Sequence, residues 1–195
     1  MVRKQARSLQ TYERVLDAAA AEFARRGYAE TNLQQVAAHI GLTKGALYGH
    51  FASKEQLAGT LVEHLTRTVR ELSAQDVAPG SPAFDRLRSL TELLARGAGL
   101  DVRIGAAMRL VSDEIRAGNP PPDALTGLRM HAAALVKVAQ ADGDIQPLLS
   151  PAAVAELLLA VVFGAQCTAG DGGPGEVPLR VRRMWEILEP ALRTR

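Results

Sequence analysis

The residues Thr43-Lys44-Gly45-Ala46 have the types and spacing to do chemistry on a nucleic acid. Thr43 offers a helix-capping hydroxyl, and Lys44 can donate to guanine O6 and N7 or to a phosphate. Gly45 lets the backbone approach closely, and the Ala46 methyl can lie against a thymine methyl. A helix that enters the major groove must present small or polar side chains of this kind at its start. One good side-chain pairing with a base is worth about 1–3 kcal/mol of discrimination. Tyr48 and His50 flank the same helix and Lys54 opens the next, where helix N-terminal amides also favour a phosphate, so these three read as anchors. Arg3, Lys4 and Arg7 stand without an acid in the first ten residues. Such an arm attracts phosphates, although it is also the composition of a solvated tail.

The elements that must hold these side chains are helices. No alternating run rich in Val, Ile, Thr and aromatics occurs, and spacing of three and four recurs almost throughout, so the fold class is all-α. Leu9, Tyr12, Val15, Leu16, Ala19 and Phe23 predict a first helix from Ser8 to Arg26, ended by Gly27. Asn32 caps a short helix carrying Leu33, Val36, Ala37 and Ile40, Gly41 stops it, and Thr43 caps a second from Lys44 to about His50. The Ser53-x-x-Gln56 capping box then opens a long helix with Leu57, Leu61, Leu65, Val69 and Leu72 on one side. Residues 33–50 are therefore helix, turn, helix. Two short helices around a Gly turn also occur as ordinary packing elements, so spacing alone leaves both uses open. Ala78-Pro79-Gly80-Ser81-Pro82 breaks the long helix, with Ser81 as the next cap. Further helices are expected at Arg103–Ala117, Asp123–Asp142, from Ser150-Pro151, and at Val177–Leu192, giving nine in all.

Composition limits the alternatives. The chain has 195 residues, 47% hydrophobic and 23% charged, which supports a packed core and excludes a disordered tail and a large multi-domain enzyme. The net charge of +2 decides little, but residues 1–75 carry ten basic and seven acidic side chains against thirteen and fourteen in 76–195, so the excess is N-terminal. A single cysteine, Cys167, allows no intramolecular disulfide, forms no zinc site with four scattered histidines, and fits a reducing compartment. No apolar segment follows the basic start, so a secretory signal is not expected and the location read is cytoplasmic, at the nucleoid. Pro151–Ala169 approaches a bilayer span in length, its one charge being Glu156. Gln166 polarises its end and no Lys or Arg flanks it closely, which favours burial in protein over a membrane. The Gly170–Gly175 loop lacks the Lys-Ser/Thr ending of a phosphate cradle, and no cofactor or metal is implied. A helical enzyme using Cys167 is the remote alternative. No histidine lies near it in sequence, and a thiol in an apolar helix is usually an inert packing group.

A longer stretch decides between packing and DNA. Val15-Leu16-Asp17-Ala18-Ala19, Phe23, Arg26-Gly27-Tyr28, Thr31, Val36-Ala37, Gly41 through Phe51 and Ser53-Lys54-Glu55 stand in register and strongly resemble the DNA-binding domain of TetR-family transcriptional regulators. The resemblance implies a DNA-binding domain over 1–53 and a ligand-binding and dimerisation domain over 54–195. It further implies a homodimer whose recognition helices enter successive major grooves of a near-palindromic operator. Lys44, Gly45 and Ala46 match base-reading positions; Thr11, Asn32, Thr43, Tyr48, His50 and Lys54 match positions that commonly touch the DNA backbone. Gly49 stands where the family often has a bulkier residue, and Asn32 where Thr or Ser is more usual.

Beyond residue 54 the resemblance implies that helix 151–169 and helix 177–192 pack against their copies as a four-helix interface. Glu156, Leu157, Val161, Met184, Trp185 and Leu188 are its expected residues. A mainly apolar effector pocket is expected from Leu65, Leu87, Met108, Val111, Val136 and Gln166, for each of which core packing is the default. Arg7-Ser8-Leu9-Gln10-Thr11, Arg103–Glu114, Asp142-Gly143-Asp144-Ile145 and Arg183-Met184-Trp185 look like the γ-butyrolactone autoregulator receptors of antibiotic-producing bacteria, or their pseudo-receptor relatives. Those receptors generally carry a pocket Trp on the helix that corresponds to Asp123–Asp142, whereas Trp185 is the sole Trp here. That difference favours a related lactone, furan or antibiotic intermediate as effector. The implied function is a repressor released by such a molecule, controlling secondary-metabolite genes. The alternative is a repressor of an efflux or catabolic gene that answers an unrelated hydrophobic ligand.

Overall fold

The structure, a computed structural model, describes residues 2–74, 80–169 and 175–194. Among them are nine helices: α1 (Val2–Glu30), α2 (Leu33–His39), α3 (Lys44–Tyr48), α4 (Lys54–Ala74), α5 (Ala83–Leu100), α6 (Val102–Arg116), α7 (Asp123–Ala141), α8 (Pro151–Thr168) and α9 (Glu176–Leu192). The one strand-like feature among the described residues is an isolated bridge between Ile145 and Arg193. The all-α expectation therefore stands, with differences at element ends.

The first helix departs most. It runs from Val2, so the basic N-terminal residues extend α1 instead of forming a separate arm. Nothing in Val2–Gln10 breaks a helix, and Lys, Arg, Gln and Ala are good helix formers. Gly27 is a kink inside α1 at φ 76°, and the helix resumes to Glu30. α3 ends at Tyr48, two residues short of His50. Ser81 does not cap α5: the helix starts at Ala83 with Pro82 in the cap position and no side-chain capping bond. The cap at Ser150 is as expected, accepting from the Ala153 amide. The Gly-rich loop at 170–174 and the break at 75–79 lie outside the described residues.

Two compact units emerge from the packing. One comprises 1–65 with 102–119; the other comprises 66–101 with 120–195. α6 belongs to the first unit because charge and backbone geometry bind it to α1. The Arg103 guanidinium bridges Glu13 and Asp17, each at 2.6 Å, and Asp113 accepts from the Tyr28 amide at 3.2 Å. The core of this unit holds Val15, Leu16, Ala19 and Phe23 of α1, Val36 of α2, Leu47 of α3, and Leu57 and Leu61 of α4, all essentially inaccessible. Phe51 closes it, stacked on Tyr12 with centroids 4.6 Å apart.

The second unit packs α5, α7, α8 and α9 on one another, with Trp185 of α9 buried against α5. That indole is 1% exposed, meets Phe84 edge-on at 5.8 Å and donates its N–H to Thr91 at 2.8 Å. The hydrogen bond satisfies the one polar atom of a side chain that otherwise contributes only burial. Arg88 of α5 adds ion pairs to Glu92 and to Glu189 of α9, each at 3.0 Å.

Candidate functional site

The helix-turn-helix of the first unit is built by caps. Asn32 Oδ1 accepts from the Gln34 amide at 2.9 Å and starts α2; Thr43 Oγ1 accepts from the Ala46 amide at 3.2 Å and starts α3. Each satisfies an amide that the first turn of a helix leaves without a partner. Gly41, at φ 71°, makes the turn between the two helices. Ser53 and Gln56 then open α4, Ser53 Oγ accepting from the Gln56 amide and Gln56 Oε1 from the Ala52 amide.

This local chemistry leaves α3 with one face in and one face out. Leu47 is fully buried, while Thr43, Lys44, Gly45, Ala46 and Tyr48 are exposed. A Cβ built on Gly45 would meet no atom within 4 Å, so the glycine is not demanded by the fold. The exposed surface is thus short, small and cationic, with the Lys44 ammonium 5.7 Å from the Tyr48 ring centroid. Its dimensions suit a major groove that admits one helix.

The other expected contact residues divide. Arg7 and Asn32 are exposed, Thr11 and His50 are half-buried, and the Thr11 hydroxyl donates to the Arg7 carbonyl at 2.9 Å. The side chains of Arg3 and Lys4 lie outside the described residues. Lys54 departs from a free phosphate anchor: its ammonium donates to the Ala29 carbonyl at 3.2 Å and lies 4.5 Å from the Tyr28 ring centroid. Burial draws its pKa below the ordinary lysine value, partly offset by Glu55. Sequence reasoning missed this use because the partner, Tyr28, is 26 positions away.

In the second unit the expected interface residues also separate. Glu156 and Leu157 are exposed, and Val161, Met184 and Leu188 are half-buried. Trp185 is corrected: its indole is enclosed within its own chain and offers no surface to a partner. Ile187, passed over in the sequence, is 74% exposed on α9. Val181, Met184, Trp185 and Leu188 form one apolar stripe, and a stripe does not say whether it faces its own core or another chain. α8 is long and apolar enough to cross a membrane, yet only 28% of it is buried in the chain. Ala153, Leu157, Ala160 and Gly164 lie on its exposed side. Cys167 is exposed there too, which corrects its reading as a packing group.

Of the expected effector residues, Leu65, Leu87, Met108, Val111 and Val136 are buried. Gln166 is half-buried, and its Oε1 is enclosed without a hydrogen-bond partner. None of the six lines the cleft of about 750 Å³ found on the first unit, which lies along α1 and α2 among Arg14, Asp17, Arg25, Val36 and His39. No group of three His, Cys, Asp or Glu placed to hold a metal occurs among the described residues.

Residues 15–61 match the family model of bacterial regulatory proteins of the tetR family. The A-factor receptor protein of Streptomyces griseus is 29% identical over 97% of this chain and 66% of its own length, so the chain spans about two thirds of that relative. A solved gamma-butyrolactone receptor, an ArpA-like protein, matches with a TM-score of 0.76 and 31% identity over 96% of this chain and 90% of that one. The TetR family protein CprB from Streptomyces coelicolor, solved in complex with its biological operator sequence, matches with a TM-score of 0.78 and 34% identity, again over 96% and 90%. A capped helix-turn-helix with an exposed face on α3, among nine helices in the described residues, in a chain that matches such proteins over nearly its whole length, places this chain in the TetR family of bacterial regulatory proteins.

Proposed function

We propose that the chain is a sequence-specific transcriptional repressor, not an enzyme, that works as a homodimer in the cytoplasm, at the nucleoid, and leaves its operator when a small, mainly apolar effector binds. One observation carries the DNA reading: α3 buries Leu47 alone and turns Thr43, Lys44, Gly45, Ala46 and Tyr48 to solvent. CprB was solved on its operator, which supports the same use of this face here. Lys44, Gly45 and Ala46 read bases; Tyr48, with Arg7, Thr11, Asn32, Thr43 and His50, meets the backbone.

The matched gamma-butyrolactone receptor supports an effector of that kind, and a matched structure described as the basis for control of antibiotic production by bacterial hormones supports control of secondary-metabolite genes; a furan or antibiotic intermediate is the related class that the sequence resemblance implies. α7 carries no Trp, which supports a related molecule over one clamped by an indole there. Gln166 supports a polar point of contact, since an enclosed acceptor without a donor costs about 1–3 kcal/mol until something supplies one. The exposed apolar faces of α8 and α9, centred on Leu157 and Ile187, support a second copy as the covering partner. Effector and DNA then compete through two conformations of the dimer, each weakening the other by the same factor.

The wild-type protein, given a random pool of duplexes, is expected to select a near-palindrome with half-sites one helical turn apart. Tyr48→Ala weakens binding to all sequences, whereas Lys44→Ala also relaxes preference at one position, by about 1–3 kcal/mol. Equal loss across operator variants would demote Lys44 to a phosphate contact. A panel of lactones titrated against the fluorescent selected duplex tests release; binding that no lactone or culture extract alters would leave a constitutive repressor.

A further inference from the structure

The kink of α1 gathers a polar cluster that contact with DNA does not explain. Asp113 Oδ2 of α6 accepts from the Tyr28 amide at 3.2 Å, and the Tyr28 hydroxyl donates to Glu55 Oε1 of α4 at 2.8 Å. The Lys54 ammonium of α4 sits 4.5 Å from the Tyr28 ring centroid and donates to the next carbonyl, that of Ala29, at 3.2 Å. The ring also stacks on Phe23 at 6.1 Å. Asp113 is itself paired with Arg109 and Arg116, which fixes its carboxylate. One residue of α1 is therefore held by α6 through its amide and by α4 through its hydroxyl and ring face.

The reading helix needs such an outside support. α3 has five residues, too few to hold a pose by its own hydrogen bonds, and Leu47 is its only buried side chain. Its exit is set by Phe51 and then by the first turn of α4, which begins with Lys54 and Glu55. Glu55 stays ionised, drawn below the usual carboxyl range by its own backbone amide, Ser53 and Tyr28. Burial first, and then Glu55, push the Tyr28 hydroxyl up to about 12, so it remains a donor at neutral pH.

We propose that Tyr28 is a positioning residue for DNA reading: its hydroxyl and ring fix the first turn of α4, and so the pose of α3, while its amide makes that pose answer to Asp113 on α6. The inference rests on the repressor reading above and gives it a regulatory contact. A displacement of α6 along α1 draws on the Tyr28 amide, and the same residue carries the strain to Glu55 and Lys54.

The test uses the full-length protein and Tyr28→Phe, which keeps the ring stack and the cation over it and removes only the hydroxyl. Hydrogen exchange without DNA is expected to show amides 46–57 exchanging about tenfold faster, with 12–23 unchanged. Affinity for the duplex selected by wild type falls about 3- to 10-fold, whereas affinity for an unselected random duplex and the salt slope stay constant, since no phosphate contact is lost. Glu55→Gln keeps an accepting oxygen and behaves as wild type. Glu55→Ala reproduces Tyr28→Phe, and the double variant adds nothing further. Unchanged exchange at 46–57, or equal loss on selected and random duplexes, overturns the proposal. A wild-type protein that selects no duplex would instead overturn the repressor reading, and the exchange result would still decide whether Tyr28 holds α3 and α4.

Discussion

The two units bury apolar helices in the same way and expose opposite things. The first unit turns out a short face of small and cationic residues on α3, and spends ion pairs on holding α1 against α6. The second unit buries Trp185 and turns out an apolar face on α8 and α9. A surface of small polar groups stays hydrated without a partner and suits a polyanion that arrives and leaves; an apolar one remains unfavourable until something covers it. The difference is the one the proposed function requires, a reversible contact at α3 and a standing one at α8 and α9.

The largest test of the contrast lies in the second core. Trp185→Ala is expected to cost about 3–5 kcal/mol in denaturant unfolding, because it opens a cavity beside Phe84 and removes the indole donor to the Thr91 hydroxyl, which keeps its bond to the Arg88 carbonyl. If Trp185 faced a partner, dissociation of the dimer would shift instead, with protomer stability nearly unchanged.

In the first unit the comparable weak point is backbone. Gly27→Ala forces an L side chain to φ 76° with its Cβ 2.8 Å from Asp113 Oδ2. A loss of about 2 kcal/mol is expected, from the left-handed conformation and a displaced carboxylate. A change under about 0.5 kcal/mol by the same unfolding measurement would mean that α1 can straighten without leaving α6.

Ile187→Glu places a charge at the most exposed apolar site of α9 and should weaken self-association at least tenfold in sedimentation equilibrium, about 1.4 kcal/mol, with the protomer fold intact. An unchanged dimer would move the interface elsewhere.

The smallest effects come from pH, and they touch the units from opposite sides. Tyr28 has a pKa raised to about 12, so its share of stability is complete below its ordinary value near 10 and disappears as pH climbs toward 12. His131 of α7 is drawn below its ordinary value by burial and then by Arg86, so its share is present above pH 6.5 and fades as pH falls through the lowered value. Exchange protection should therefore weaken first around 28–57 in alkali and along α7 in mild acid. Tyr28→Phe and His131→Gln should each flatten one side.

Much of the first unit was legible without coordinates because its signals are local. A cap reports on an amide two or three residues away, and Asn32, Thr43 and Ser53 each do what their neighbours require. Gly41 makes its turn by a backbone angle that few other residues adopt. The N-terminal residues misled because a cluster of positive charge describes composition and not conformation; without a breaker they continue α1. Lys54 misled for another reason: a cation at a helix start looks free until its distant partner is known.

Order and type of helices, the caps of α2, α3 and α4 and the turn at Gly41 were decided by the amino-acid sequence, since each depends on interactions within about four positions. Only tertiary structure assigned α6 to α1, Lys54 to Tyr28, and Trp185 to its own core with Ile187 outside. Those outcomes depend on which face of a helix meets which neighbour. Helical periodicity marks such faces but cannot name what they touch.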